Sequence, residues 1–200
     1  MVEIQTVAVI GAGITGRGIA HVTALGGYRT ILEDILPASL RRAEREMLGN
    51  LRESIELGEI SRQDADAAMS RVEYATSVDQ AAREADLVIE SVPEEWESKI
   101  EIFTLLDKLC KPATILASNT CSLNVTEIAS VTYRERKILG VRFIDPVHRA
   151  KKLEVVRARQ TDDETLAAFL EVGRRMGKEL VVIRESQDGL AAEGRLIQGS

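Results

Sequence analysis

Apolar positions along the chain follow two periods. Short apolar-rich runs at 4–10, 29–32, 72–75, 87–92, 114–118, 138–144, 153–157 and 180–183 read as strands, the last of these being the final strand. Between them, apolar residues recur at helical spacing. Leu36, Leu40, Ala43, Met47, Leu51 and Ile55 mark a long helix stopped by Gly58, and Ser61 caps a second over 62–69. Ser77 caps a short helix, 95–109 forms another before Lys111-Pro112, and Asn124 with Glu127 reads as a capping box. Thr161 to Glu164 start a helix that Gly177 ends. Strands separated by helices predict an α/β fold with a doubly wound, mostly parallel sheet. The stretch 37–70 is the one departure, a charged helical hairpin projecting from the sheet.

The turn after the first strand is Gly11-Ala12-Gly13-Ile14-Thr15-Gly16, a G-x-G-x-x-G opening a helix. Each glycine has a reason in a dinucleotide site. Gly11 allows the tight turn, Gly13 lets a pyrophosphate approach, and Gly16 lets helix and strand pack closely. The helix N-terminus adds free N–H groups and positive dipole. Asp34 follows the second strand at the position where a carboxylate accepts ribose hydroxyls. That context turns a weak motif into a specific one and predicts a Rossmann-type domain. Glu33-Asp34 would repel a 2′-phosphate, and no Arg or Lys follows until Arg41, so the cofactor expected is NAD.

Composition narrows the rest. The 200 residues carry 44% hydrophobic and 29% charged residues with net charge −6, and no basic stripe is interleaved with aromatics, so a nucleic-acid partner is not expected. No run reaches membrane-span length, and the start carries Glu3 where a signal peptide would carry a cation, so a cytoplasmic protein is expected. Cys110 and Cys121 form no C-x-x-C and only two His are present, so no metal site is expected.

Several segments together resemble the NAD-binding domain of the 3-hydroxyacyl-CoA dehydrogenases, including bacterial 3-hydroxybutyryl-CoA enzymes. They are Gly11 to Ala20 with Asp34, Asp86 to Glu94, Thr114 to Thr120, Phe143, Pro146, Lys151, Leu153 to Val156, and Gly173 to Lys178. The resemblance covers roughly residues 1–186 and implies NAD-dependent oxidation of a (3S)-3-hydroxyacyl-CoA to the 3-oxoacyl-CoA, in fatty acid metabolism. It places the hairpin beside the acyl-CoA, and Glu94 and Lys99 near the nicotinamide half. From the residues alone, Glu94 and Lys99 read as a surface pair at a helix start.

The resemblance also locates where chemistry should sit, and there the chain departs from the family. The family's H-F-F-N-P reads Arg142-Phe143-Ile144-Asp145-Pro146. The histidine that removes the hydroxyl proton is Arg142, the asparagine is Asp145, and the serine after Ser118-Asn119-Thr120 is Cys121. The glutamate that charges the histidine survives as Glu154. Histidine suits proton transfer because it titrates near neutrality, whereas arginine stays protonated. Arg142 can bind an oxyanion or carbonyl, or simply pair with Glu154. A non-catalytic NAD-binding module, or an oxidoreductase whose Arg142 holds another anionic substrate, remain alternatives. His148 is the one nearby candidate base, although a loop histidine is more often solvated; His21 reads as structural. The family's P-G-F segment, which opens an all-helical second domain, is replaced by Ser186-Gln187-Asp188-Gly189-Leu190. Residues 187–200 are therefore read as a truncated start of that domain or a tail. The face it would cover calls for a second copy of the chain or a separate helical partner.

Overall fold

Strand residues alternate between two cores. Val7 and Val9 of β1 (Thr6–Ile10) enter one hydrophobic cluster, and Ala8 and Ile10 enter the other. In this computed structural model, which describes residues 3–185 and 191–197, β1 leads through α1 (Ile14–Leu25) to β2 (Arg29–Glu33). Next come α2 (Pro37–Glu56), α3 (Arg62–Met69), β3 (Val72–Ala75), α4 (Val78–Ala82) and β4 (Leu87–Glu90). The chain continues through α5 (Trp96–Leu109), β5 (Ile115–Asn119), α6 (Val125–Ser130), β6 (Ile138–Phe143), β7 (Lys152–Arg157), α7 (Asp163–Arg175), β8 (Glu179–Glu185) and β9 (Ala191–Ile197).

The sheet order is β3-β2-β1-β4-β5-β6-β7-β8-β9. Pairing is parallel except at β6–β7 and β8–β9. The chain winds outward from β1 in one direction and returns to β4 on its other side, so the β1–β4 boundary is the switch point where α/β sheets open a ligand crevice. One core packs Ile19, Leu40, Met47 and Phe169 from α1, α2 and α7 against the sheet. The other packs Ala82, Phe103, Leu106 and Ile128 from α4, α5 and α6 against its opposite face. The expected caps form: Ser61, Ser77, Asn124 and Asp162 each accept a backbone N–H from the first turn that follows.

Two expectations need correction. The final strand is not 180–183: that run extends to Glu179–Glu185 and is followed by β9, antiparallel to it. An edge strand offers a row of unpaired N–H and C=O groups, and the following segment takes them up. Residues 191–197 are thus strand rather than the start of a helix, while 186–190 lie outside the described residues.

The second correction is Lys99, which is no surface residue. It is 0% exposed, and its Nζ donates to Glu90 Oε1 at 2.7 Å, to Glu90 Oε2 at 3.0 Å and to the Asn119 carbonyl at 2.9 Å. Ser118 Oγ and the Val92 N–H complete the shell around Glu90 at 2.7 and 2.8 Å. This is a fully hydrogen-bonded ion pair inside the β4–α5–β5 core, and removing one member strands the other. Lys99→Met should lower stability by about 3–5 kcal/mol in urea titration, and Glu90→Gln added to it should restore part of the loss. A loss below about 1 kcal/mol would show that Glu90 does not depend on its partner.

Candidate functional site

The glycine turn is built against the end of β4. Gly11 has φ +98°, and a Cβ there would sit 2.6 Å from the Ser91 carbonyl oxygen. A Cβ on Gly16 would meet the Gly11 carbonyl oxygen at 1.8 Å. Both positions therefore exclude any side chain. Gly13 differs: it is the N-cap of α1 with extended backbone, and nothing lies within 4 Å of a Cβ built there. The open space in front of Gly13 and the helix N-terminus is room for a phosphate. These are the requirements of a dinucleotide, met by three glycines for three separate reasons.

Asp34 sits beside the turn, its Oδ2 accepting the Ala12 N–H at 3.0 Å and its Oδ1 the Leu36 N–H at 2.9 Å. Each oxygen keeps lone-pair capacity for a ribose hydroxyl. Ala12 thus contributes by fixing Asp34, and does not itself line the crevice. A cavity of about 720 Å³ opens at the switch point, where Gly11, Gly13, Ile14, Thr15 and Gly16 meet Asp34, Glu94 and Cys121. Its wall carries Glu33, a residue considered from sequence only for repelling a phosphate. Burial, with Asp34 beside it, pushes the Glu33 carboxyl up to about 7. A glutamate inside a buried strand run was the available signal.

Glu94 organises the far side. Its Oε1 accepts from Thr120 Oγ1 at 2.5 Å, from the Cys121 and Ser122 amides at 2.9 and 3.1 Å, and from Ser122 Oγ at 3.1 Å. Burial works against the Glu94 charge, but these bonds and Lys99, 3.5 Å away, outweigh it and hold the carboxyl below its ordinary value. Glu94 therefore clamps the loop that carries Cys121 into the cavity. Lys99 lies behind that loop and does not reach the cavity wall, so any influence on a cofactor passes through Glu94 and the Asn119 backbone.

The positions expected to carry proton transfer lie outside the cavity lining, apart from Cys121. Arg142 on β6 faces Glu154 on β7 across the antiparallel pair, with Nη1 and Oε2 3.6 Å apart. Lys152 Nζ donates to the other Glu154 oxygen at 2.7 Å, so this carboxylate stands between two cations. Arg142 Nε is buried and has no partner among the described residues. Asp145 accepts from Thr15 Oγ1 at 2.6 Å, which ties the loop after β6 to the glycine turn, a contact that sequence reasoning missed.

His148 is not a solvated loop residue. It is half-buried, with its ring 5.7 Å from that of His21 and its Nδ1 3.4 Å from Asn50 Nδ2 on α2. Burial, then Arg149, lowers its pKa, and it does not line the cavity. Burial, then His148 and Lys178, brings His21 down to about 4. No helix among the described residues is long and apolar enough to cross a membrane.

A Gly-rich turn at a switch point, an open helix N-terminus and an acid after β2 define a Rossmann-type dinucleotide-binding domain. Residues 6–186 match the family model for the 3-hydroxyacyl-CoA dehydrogenase NAD binding domain, and the chain belongs to that family, whose cofactor is NAD. It is 34% identical over 183 residues to a probable 3-hydroxybutyryl-CoA dehydrogenase of Bacillus subtilis, covering 92% of this chain and 63% of that protein. It is 36% identical over 179 residues to the 3-hydroxybutyryl-CoA dehydrogenase of Bradyrhizobium diazoefficiens, covering 90% and 61%. The crystal structure of (S)-3-hydroxybutyryl-CoA dehydrogenase from Ralstonia eutropha superposes with TM-score 0.88 at 31% identity, covering 92% of this chain and 65% of that one. The chain thus spans less than two thirds of each of these relatives.

The geometry separates folding from binding at Gly13. Gly13→Val should leave the melting temperature within a few degrees of wild type while weakening NAD by at least about tenfold in calorimetric titration. Unchanged affinity would move the phosphates elsewhere. Asp34→Ala should weaken NAD several-fold, and an unaltered dissociation constant would mean that the ribose does not sit at Asp34.

Proposed function

We propose that this chain is the NAD-binding half of a 3-hydroxyacyl-CoA dehydrogenase, acting on a (3S)-3-hydroxyacyl-CoA. The observation that carries the reading is the cavity at the β1–β4 switch point, where the glycine turn, Asp34 and the Glu94-clamped Cys121 loop converge. Asp34, held by the Ala12 amide, binds the adenosine ribose, the turn from Gly11 to Gly16 with Ile14 and Thr15 binds the pyrophosphate, and Glu94 orders the nicotinamide side. NAD supplies the hydride acceptor when bound. The hairpin α2–α3 is the surface offered to the acyl-CoA.

Proton transfer is the step this chain's residues serve least well. Arg142 cannot accept a proton at neutral pH, and Asp145 is an acceptor already engaged by Thr15. Cys121 offers a weaker hydrogen bond than serine would. Arg142 retains a role as an electrophile toward a carbonyl oxygen, with Glu154 orienting it. The Arg142–Glu154 pair favours a second reading as well: an NAD-binding module that has exchanged its catalytic base for a structural ion pair.

NADH consumption with acetoacetyl-CoA by the folded chain tests the first reading. Replacing the base position, Arg142→His, should raise that rate by at least about tenfold, within the range a general base contributes. NAD binding without turnover in both proteins would favour the module.

A further inference from the structure

Glu33 is the last residue of β2 and Asp34 the first residue beyond it, and both line the cavity. Asp34 turns to the glycine-turn side, where two backbone amides hold it. Glu33 shares the face of Ile31 and Ile10, both in the core packed by α4 and α5. It is 5% exposed, lines the cavity, and has no side-chain hydrogen bond or ion pair among the described residues. Its carboxyl opens on the cavity and is free to take a polar partner from whatever fills that space. The wall beside it is apolar, formed by Ile35, Val78, Val92 and Ile102. An apolar wall with one unpartnered polar group at its edge suits a flat heteroaromatic ring that presents both a donor and an acceptor.

Resting on the dinucleotide reading above, we propose that Glu33 is a specificity-determining residue for the cofactor, its carboxylic acid pairing with the edge of the adenine base. The match is chemical. A neutral carboxyl group carries one O–H donor and one carbonyl acceptor side by side. Adenine presents a ring-nitrogen acceptor next to its exocyclic amino donor. An ionised carboxylate offers acceptors alone and faces the lone pair of that ring nitrogen. The environment keeps the neutral form available near pH 7, since burial and then the Asp34 charge both disfavour ionisation. The flanking strands add no charge of their own here: β1 contributes Ile10 and β3 contributes Ala75 beside Glu33. The helices line the cavity with Ile14, Thr15 and Gly16 of α1, Val78 of α4 and Ile102 of α5, none of them charged, and its other titratable groups are Asp34, Glu94 and Cys121.

The sign follows directly. Affinity due to the Glu33 pair is present below about pH 7 and is lost as pH rises through that value. Glutamine reproduces the neutral acid, with an N–H donor and a carbonyl acceptor in the same places, and does not titrate.

Calorimetric titrations of wild type, Glu33→Gln and Glu33→Leu with NAD, and with AMP as the adenosine half alone, test this at about pH 6 and about pH 8.5. Wild-type affinity for both ligands should fall roughly tenfold between these values, following the loss of the neutral acid. Glu33→Gln should bind both equally well at either pH, and Glu33→Leu should bind weakly at both. Identical pH profiles for wild type and Glu33→Gln would overturn the proposal, as would tighter wild-type binding at high pH, the sign expected of a carboxylate on a ribose hydroxyl. If NAD bound none of the three proteins at either pH, the dinucleotide site and this inference would fall together. Binding with a flat profile would sink the inference alone. Melting temperatures of the variants separate a folding defect from a binding one.

Discussion

No atom beyond backbone fits between the first glycine turn and the end of β4. The Gly11 position lies against the Ser91 carbonyl and the Gly16 position against Gly11 itself, closer than any Cβ tolerates. This contact sets where α1 begins, and so where its unpaired N–H groups point. It also seats β1 beside β4, making the switch point from which the cavity opens. A side chain at either glycine would push α1 away from the sheet and remove the helix terminus from the crevice.

Around that contact, carboxyl groups do the positioning. Glu90 is buried with Lys99, which also donates to the Asn119 carbonyl, so the pair joins β4, α5 and the end of β5. Glu94, in the loop after β4, gathers three consecutive residues, Thr120, Cys121 and Ser122, through a single oxygen. Asp34 ties the turn to the chain after β2 through two amides. Each carboxyl converts a loop that could move into part of a rigid wall, which is what a binding site needs from residues that do not themselves react. Glu33 is the exception among them, buried and without a side-chain partner among the described residues.

The β6–β7 side is organised differently. Arg142 and Glu154 meet as a cross-strand pair on antiparallel β6 and β7, with Lys152 sharing the carboxylate. Asp145 reaches Thr15 and joins the loop after β6 to the cofactor turn. These contacts tie β6, β7 and the glycine turn together, while Arg142 Nε stays without a partner among the described residues. His148, enclosed between α1 and α2 near His21 and Asn50, belongs to the hairpin's docking and not to the crevice.

Local signals carried much of this, because they depend on neighbours in the chain. The two hydrophobic periods place the strands and helices, caps at Ser61, Asn124 and Asp162 lie within three residues of the amides they serve, and the G-x-G-x-x-G with Asp34 is a strand–turn–helix–strand unit read in order. Arg142 and Glu154 were legible as a candidate pair only through family resemblance, since their contact spans two strands. What the tertiary structure alone decided concerns burial and long-range pairing. Lys99 looks like any helix-surface lysine until β4 and β5 close over it and Glu90 supplies the counter-charge. Glu33 looks like half of an acidic doublet until the fold buries it at the cavity wall while Asp34 is held by two backbone amides. The pairing of β8 with β9 required an open sheet edge that no local pattern records. Periodicity and caps are properties of adjacent residues; desolvation and charge pairing are properties of what folding brings from elsewhere in the chain, so only the folded chain determines them.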